Sequence, residues 1–194
     1  MQKPLIVGLV LILAAWAVPG RHFIAVPRGR AVMVDGKISS SEWTDAKRID
    51  LPHGAQLYFK QTEGYVYLCT QLAAGDSGFV DLYLSPSDGR IYDLHASAKL
   101  GQQVLSEGQS AEWKTWWNNQ GWVANVSRVD SFDEKRFLPE SVREFQIEPT
   151  YFPGPEWRVM IEISVANGEE YSTIRFPTNA DKLKTDQWLL LDLK

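Results

Sequence analysis

The strongest constraint on the fold is the alternation of apolar and polar residues that fills most of the chain after residue 30. Its clearest example is Trp157–Val165, in which every second residue is apolar and the residues between them are mostly polar. A repeat of two is the period of a β-strand with one buried face. Turn residues separate such runs at regular spacing. The pattern predicts an all-β fold, an antiparallel β-sandwich of immunoglobulin-like or jelly-roll-like type.

Two of these runs predict a hairpin with a defined register. Phe79–Leu84 and Ile91–Leu100 flank the turn sequence Ser85–Arg90. Pairing the apolar face of one arm with that of the other sets Leu82 opposite Leu94. A slip by one residue would turn the apolar set outward, so the face pattern constrains the register.

The same register places Asp81 opposite His95 and Tyr83 opposite Asp93. Carboxylates and an imidazole on neighbouring strands can hydrogen-bond the hydroxyl groups of a sugar. We expect no cofactor, with Ca²⁺ as the open alternative because this ion prefers oxygen ligands. A solvated outer face with one Asp–His pair is the plainer interpretation of the four residues.

Tryptophan is the outlier of the composition: the chain has eight, and four lie within ten positions. The four are Trp113, Trp116, Trp117 and Trp122. Indole faces pack on the C–H patches of sugar rings, so the cluster predicts a carbohydrate platform. Trp116 and Trp117 are adjacent in a predicted strand and point to opposite faces, which leaves one of them facing solvent or a loop. Burial of both, one in the sandwich and one beneath a surface excursion at residues 130–139, is the alternative.

The runs Ser110–Trp117 and Trp122–Val129 flank a turn and predict another hairpin.

The predicted domain opens with a turn and a short helix. Asp35–Gly36 forms the turn, because glycine tolerates positive φ and aspartate can bond its own backbone. Ser39 and Glu42 have the spacing of a capping box. A helix of one or two turns at Ser40–Ala46 then carries Trp43 inward, where its role is structural.

This opening resembles that of a known family of domains. Val34–Gly36 and Trp43–Ala46 resemble the first motif of the family 9 carbohydrate-binding modules and of the related DOMON-like β-sandwiches. Trp157–Val165 and the terminal run Trp188–Leu193 resemble the last strands of these domains. The resemblance covers Ala31–Lys194 and implies a single β-sandwich domain with a mono- or oligosaccharide as its partner.

Charge and motifs exclude other classes of function. The net charge of −4 argues against a nucleic-acid-binding surface, which needs a basic stripe. The motifs of serine hydrolases, zinc proteases and phosphate-binding loops are missing, so we expect no enzyme.

Arg158 and Glu162 lie on the polar side of their strand and can meet a sugar, although such residues are more often plain surface charges. The single cysteine, Cys69, forms no intramolecular disulfide and has the pattern of a buried thiol.

The N-terminus has the pattern of a secretory signal. Lys3 precedes the uncharged, mostly apolar run Leu5–Val18, and Ala15–Ala17 is a small-x-small cleavage site. We predict a cleaved signal peptide at Met1–Val18, with an uncleaved anchor as the alternative, and a linker at Pro19–Arg30. The mature domain is then periplasmic or secreted, most consistent with a bacterial source, and meets a membrane only if the segment stays uncleaved.

Three functions follow from these observations. The first is an exported, non-catalytic carbohydrate-binding domain that uses tryptophan stacking and polar side chains. The second is a haem-binding, electron-transfer DOMON-like domain, with Met33, His95, Lys99 and Met160 as candidate ligands. The third is an extracytoplasmic scaffold or interaction domain without a small ligand.

Overall fold

The computed structural model describes residues 23–39, 41–106, 114–115, 120–126, 141–167 and 170–193. In these residues, 13 strands form two sheets. The strands of the larger sheet are β1 (Phe23–Ala25), β5 (Ser77–Ser85), β6 (Ile91–Ala96), β7 (Leu100–Leu105), β8 (Lys114–Thr115), β11 (Glu156–Asn167), β12 (Glu170–Phe176) and β13 (Leu189–Asp192). The strands of the smaller sheet are β2 (Lys47–Asp50), β3 (Gln56–Gln61), β4 (Val66–Gln71), β9 (Trp122–Ala124) and β10 (Val142–Ile147).

The sheets have simple strand orders. The larger one runs β1-β13-β11-β5-β6-β7-β8, with β12 beside the second half of β11, and the smaller one runs β2-β3-β4-β10-β9. Neighbouring strands are antiparallel except for β1 and β13, which are parallel. The predicted all-β sandwich is confirmed.

The main core lies between the sheets. Alternate side chains of β5 point into it, where Val80, Leu82 and Leu84 cluster with Leu57 and Phe59 from β3. All five are almost completely buried. Burial of each such side chain contributes roughly 1.5–3 kcal/mol to folding. The core therefore fixes which side of β5 faces outward.

The hairpin register predicted from the face pattern is confirmed. Leu82 lies opposite Leu94, and the flanking pairs are Asp81 with His95 and Tyr83 with Asp93. These outer residues alternate with the buried leucines, so packing of the core sets the position of the polar side chains.

Residues 32–39 and 41–46, the cover segment, lie over the outer face of the smaller sheet. The Trp43 Nε1 donates a hydrogen bond to Glu144 Oε1 at 3.0 Å. The other oxygen of Glu144 accepts the backbone N–H groups of Asp35 and Gly36, at 3.0 and 2.9 Å. Burial raises the pKa of Glu144 and outweighs these three bonds. Trp43 is packed with the buried Cys69 in one apolar cluster, so its role is structural.

The short helix predicted at Ser40–Ala46 is wrong for its described part, 41–46, which forms successive turns. The Glu42 N–H donates to the Ser39 carbonyl at 3.2 Å. The Ser39 and Glu42 side chains do meet, at 3.3 Å, but Glu42 Oε1 accepts the backbone N–H of Met33 instead of capping a helix. A segment this short gains few helical bonds for the cost of nucleation, so tertiary contacts decide its shape.

The predicted hairpin of Ser110–Trp117 with Trp122–Val129 is also wrong. Strand β8 pairs with β7 in the larger sheet, whereas β9 pairs with β10 in the smaller one. The chain changes sheets between residues 115 and 122. Alternation predicts that a segment is extended, but it does not say which neighbour the strand takes.

The described part of the predicted linker at 19–30 belongs to the sandwich. Strand β1 pairs with β13, and Val26 donates its N–H to the Asp192 carbonyl at 2.9 Å. Ile24 and Val26 are buried. A strand of three residues beside Pro27 leaves little signal in the sequence.

Two predicted segments, Met1–Val18 and Asp130–Pro139, lie outside the described residues. Within the described ranges, no helix is long and apolar enough to cross a membrane.

Candidate functional site

The outer face of β5, β6 and β7 carries an open groove of about 300 Å³. Its lining comprises Asp81, Tyr83, Asp93, His95, Gln103, Leu105 and Lys182. The first four alternate with core residues along β5 and β6. Gln103 and Leu105 lie opposite Asp93 and Ile91 on β7, so all six share one face of the sheet. The structure thus brings together the four polar residues predicted from the hairpin register and adds three that were not predicted.

Residues 177–188 form the wall that carries Lys182. Ala180 and Trp188 pack on Tyr83 and Met160 in a small apolar cluster on the outer side of the larger sheet. The Trp188 indole lies edge-on to the Tyr83 ring, with centroids 6.2 Å apart, and donates Nε1 to the Asp181 carbonyl at 2.7 Å. The wall covers one end of the outer face and leaves the groove open beside it.

A hydrogen-bonded chain holds the imidazole of His95. Its Nδ1 lies 2.6 Å from Asp81 Oδ1, and its Nε2 lies 2.9 Å from the hydroxyl of Ser97. The Phe79 ring lies 5.4 Å from the imidazole centroid and is 37% exposed. Phe79 thus offers an accessible aromatic surface beside fixed polar groups.

Asp93 is the unusual residue of the groove, since it is only 2% exposed. Gln103 Nε2 donates to its Oδ2 at 2.7 Å. Its Oδ1 is buried and has no hydrogen-bond partner in the part of the chain that the structure describes. Burial raises the pKa of Asp93 to about 6, and the nearby charge of Asp81 acts in the same direction. A buried carboxylate oxygen without a partner is costly, so a ligand that reaches it recovers that cost.

Lys182 is positioned by an ionic network. Its Nζ lies 2.9 Å from Glu162 Oε1 and 5.0 Å from the centre of the Tyr83 ring. Arg175 donates to Glu162 Oε2 through Nε at 2.9 Å and Nη2 at 2.5 Å. Burial tends to raise the pKa of Glu162, but the bonds from Lys182 and Arg175 outweigh it and hold the pKa below its usual value. Burial raises the pKa of Tyr83, so its phenol stays protonated.

The other predicted strand residues divide between the groove and a separate place. Glu162 acts on the groove through Lys182. Arg158 lies elsewhere: its Nη1 donates to the Thr185 carbonyl at 3.3 Å, and it lines a different cavity of about 230 Å³. Arg158 and Glu162 share one face of β11, but they lie at different sites.

Trp122 is not part of a surface platform. It is 1% exposed, stacks on Phe145 with ring centroids 5.8 Å apart, and donates Nε1 to Gln102 Oε1 at 3.0 Å. Its position on β9 in the smaller sheet turns the indole into the core. The other three tryptophans of the predicted cluster, Trp113, Trp116 and Trp117, lie outside the described residues.

A second cavity adjoins the groove at Leu105, which lines both. Its volume is about 760 Å³, and Arg90, Ile91 and Lys184 are among its lining residues. Both volumes fall within the range of roughly 300–1,000 Å³ that is usual for ligand pockets. The outer face of the sheet therefore has room beyond the groove itself.

The residues that sequence reasoning missed have different origins. Phe79 lies two residues before Asp81 on β5, so the same alternation predicts that its side chain points outward. Gln103 lies on β7, in a stretch whose patterning is weak. Lys182 lies in an irregular segment, and the alternation of apolar and polar residues does not predict that such a segment contacts the sheet.

The geometry does not favour the predicted haem ligands. Met160 is fully buried on the larger sheet, whereas Met33 lies in the cover segment over the smaller one. Both ring nitrogens of His95 are already hydrogen-bonded, to Asp81 and Ser97. Among the described residues, no group of three or more His, Cys, Asp or Glu side chains is placed to hold a metal ion.

Comparison with solved structures identifies the class of fold. A family 9 carbohydrate-binding module from Caldicellulosiruptor kristjanssonii, in complex with cellotriose, aligns with a TM-score of 0.53 and 14% identity, over 89% of this chain and 93% of the module. A protein from Bacteroides uniformis that is proposed to bind carbohydrate aligns with a TM-score of 0.59 and 11% identity, over 88% of this chain and 98% of that protein.

These likenesses show a shared β-sandwich fold. The chain has a fold like that of the family 9 carbohydrate-binding modules, so this part of the sequence resemblance is supported at the level of fold, and the DOMON-like part is not. No protein-family model and no curated protein matches the chain.

Proposed function

We propose that this chain is a non-catalytic carbohydrate-binding domain and that its ligand occupies the groove on β5, β6 and β7. The observation that carries the proposal is the buried Asp93, whose Oδ1 has no partner among the described residues of the groove. The fold adds support, because one solved structure that shares it holds cellotriose.

The groove offers the chemistry that a sugar requires. Asp81 and Asp93 accept hydrogen bonds from hydroxyl groups, while the amide of Gln103 and the ammonium of Lys182 can donate. The exposed ring of Phe79 can pack on a C–H patch of the sugar. The polar groups are held by their own bonds, so little ordering is needed when the ligand arrives.

Trp113, Trp116 and Trp117 stay in the proposal as stacking residues. Trp113 and Trp116 flank β8 in the sequence. Strand β8 pairs with β7, where Gln103 lines the groove. A stacking platform next to this edge would extend the polar groove, and the cavity at Leu105 would extend it further for an oligosaccharide.

Export is the second part of the proposal. The apolar run Leu5–Val18 and its cleavage site support a signal peptide and a periplasmic or secreted domain. Expression of the full chain in a bacterial host tests this. We expect the domain in the periplasmic fraction with a new N-terminus near residue 18. Retention in the membrane fraction with Met1 intact would favour the anchor instead.

Calorimetry and tryptophan fluorescence of the signal-less chain, titrated with soluble oligosaccharides, test the binding function. We expect saturable binding that Asp81→Ala and Gln103→Ala each weaken about tenfold or more, the scale of a lost hydrogen bond to a charged or buried group. Asp50→Ala is the matched control, because Asp50 is exposed and lies on β2 of the other sheet.

Three results would contradict the proposal. No binding of any glycan would favour a scaffold domain without a small ligand. Equal binding by wild type and both groove variants would move the site elsewhere. Turnover of chromogenic glycosides that Asp93→Ala abolishes would replace the non-catalytic function with an enzymatic one.

A further inference from the structure

The ionic groups of the groove are unevenly paired. Three carboxylates lie in or beside it, and two of them have partners that can carry positive charge. Glu162 binds both Lys182 and Arg175, and Asp81 binds His95. Among the described residues, the one hydrogen bond that Asp93 receives comes from the neutral amide of Gln103.

We infer that the ligand itself supplies the missing cation, and that the carbohydrate bound in this groove is an amino sugar with a free ammonium group. This inference rests on the proposed carbohydrate-binding function and names its ligand class. The ammonium would lie against the Asp93 carboxylate in this groove.

The burial of Asp93 distinguishes this arrangement from an ordinary acidic surface. The side chain is 2% exposed, lines the groove and leaves one oxygen without a partner among the described residues. A buried charge is stable only when it is paired and hydrogen-bonded. A sugar hydroxyl would satisfy the hydrogen bond, whereas an ammonium would satisfy the hydrogen bond and the charge together.

The existing cations do not already fill this role. The Lys182 ammonium is held 2.9 Å from Glu162 and over the Tyr83 ring. Lys182 and His95 each lower the pKa of Asp93, but burial raises it by more. The pKa of Asp93 therefore stays above its usual value. Within the part of the chain that the structure describes, the groove therefore keeps a deficit of positive charge at Asp93.

Three oligosaccharides of equal length and β-1,4 linkage provide a matched test. Glucosamine tetramer, N-acetylglucosamine tetramer and cellotetraose differ only in the group on C2, which is an ammonium, an acetamide or a hydroxyl. Each is titrated into the signal-less chain near neutral pH by calorimetry. We expect the glucosamine tetramer to bind about ten- to hundredfold more tightly than the other two, the range for a charge-assisted hydrogen bond.

Asp93→Asn is the decisive variant, because it removes the charge and keeps the shape. We expect it to abolish the preference for the amine. Asp81→Asn is a second variant in the groove and should reduce the preference. Asp50→Asn removes an equal charge on the other sheet and should keep it, which separates the groove from general attraction by an acidic protein. Thermal melts of each variant establish that it is folded.

The outcomes separate this inference from the function on which it rests. Equal or tighter binding of cellotetraose overturns the amino-sugar inference and leaves the carbohydrate function standing. A preference that survives in Asp93→Asn also overturns the inference. Failure of all three sugars to bind overturns both. Tight binding of cadaverine, an aliphatic diamine, with no sugar bound would keep the cation at Asp93 and contradict the carbohydrate function.

Discussion

Replacing Asp93 by asparagine is expected to stabilise the protein at neutral pH. The carboxyl group is almost fully buried, and the described residues give its Oδ1 no hydrogen-bond partner. Asparagine keeps an oxygen that can accept the bond from Gln103 Nε2, and it carries no charge to bury. The variant therefore removes a charge in a place where charge is unfavourable.

The size of the effect follows from the pKa. Burial raises the pKa of Asp93 from 3.8 to about 6. One pH unit corresponds to about 1.4 kcal/mol, so ionisation of Asp93 lowers the free energy of unfolding by about 3 kcal/mol at pH 7. The folded state keeps a proton that the unfolded state has already released. Stability therefore falls as pH rises from about 4 to about 6, and above that this residue makes no further change.

Urea unfolding of wild type and Asp93→Asn between pH 4 and pH 8 measures this effect. We expect the two proteins to be similar near pH 4 and the variant to gain about 2–3 kcal/mol by pH 7. The comparison removes the contributions of other shifted carboxyls: the raised pKa of Glu144 and the lowered pKa values of Asp45 and Glu162 are common to both proteins. Asp50→Asn serves as the control for the loss of one carboxylate, because Asp50 is exposed and lies on β2 of the other sheet.

A stability difference that stays constant from pH 4 to pH 8 would refute the reasoning, because it would mean that Asp93 does not titrate with a raised pKa. A variant that is less stable than wild type above pH 6 would show that the Asp93 charge is compensated in the folded protein. Either result would also remove a main support of the amino-sugar inference.

Three further predictions concern the packing of the β-sandwich. Trp43→Phe deletes the indole N–H that bonds Glu144 and should cost about 1–3 kcal/mol in urea unfolding, because it leaves a buried carboxylate less well satisfied. Gly78→Ala should destabilise the protein by about 1–3 kcal/mol, since a Cβ there would lie 2.4 Å from the Ser164 carbonyl oxygen. Gly64→Ala should be nearly neutral in the same assay, because no atom of the described residues beyond its chain neighbours lies within 4 Å of the Cβ that it would add. Cys69 is fully buried, and burial raises the pKa of its thiol well above the usual value. The thiol should therefore react with a reagent such as Ellman's reagent only after unfolding. Rapid reaction of the native protein would contradict the buried position of Cys69.

The sequence was most informative where apolar and polar residues alternate along a strand that buries one face. Leu82 and Leu94 can both reach the core in only one pairing of their strands. That pairing also settled the positions of Asp81, Tyr83, Asp93 and His95. Four of the groove residues were therefore predictable without knowledge of the rest of the fold.

Long-range pairing and irregular segments limited the rest of the prediction. Trp122 lies in a strand, as its pattern predicts, but the partner of that strand is β10, and this choice buries the indole. Lys182 reaches the groove because Trp188 and Ala180 anchor an irregular segment on the sheet. Neither event has a local signature, since both depend on contacts between residues distant in sequence.

The predicted helix at Ser40–Ala46 failed for a related reason. Its capping residues are present, and Ser39 and Glu42 do meet. Glu42 is nevertheless engaged by the Met33 N–H, and Trp43 by Glu144. Where local propensity is weak, tertiary hydrogen bonds determine the backbone.

The most direct test of the central claim is a ¹H–¹⁵N NMR titration of the signal-less chain with glucosamine tetramer and with cellotetraose. We expect saturable shift changes concentrated in residues 79–83, 93–97, 101–105 and 181–183, with little change in β2, β3 and β4 of the other sheet. Saturable changes confined to the smaller sheet or the cover segment, or no change with any glycan, would contradict the placement of a carbohydrate site in this groove.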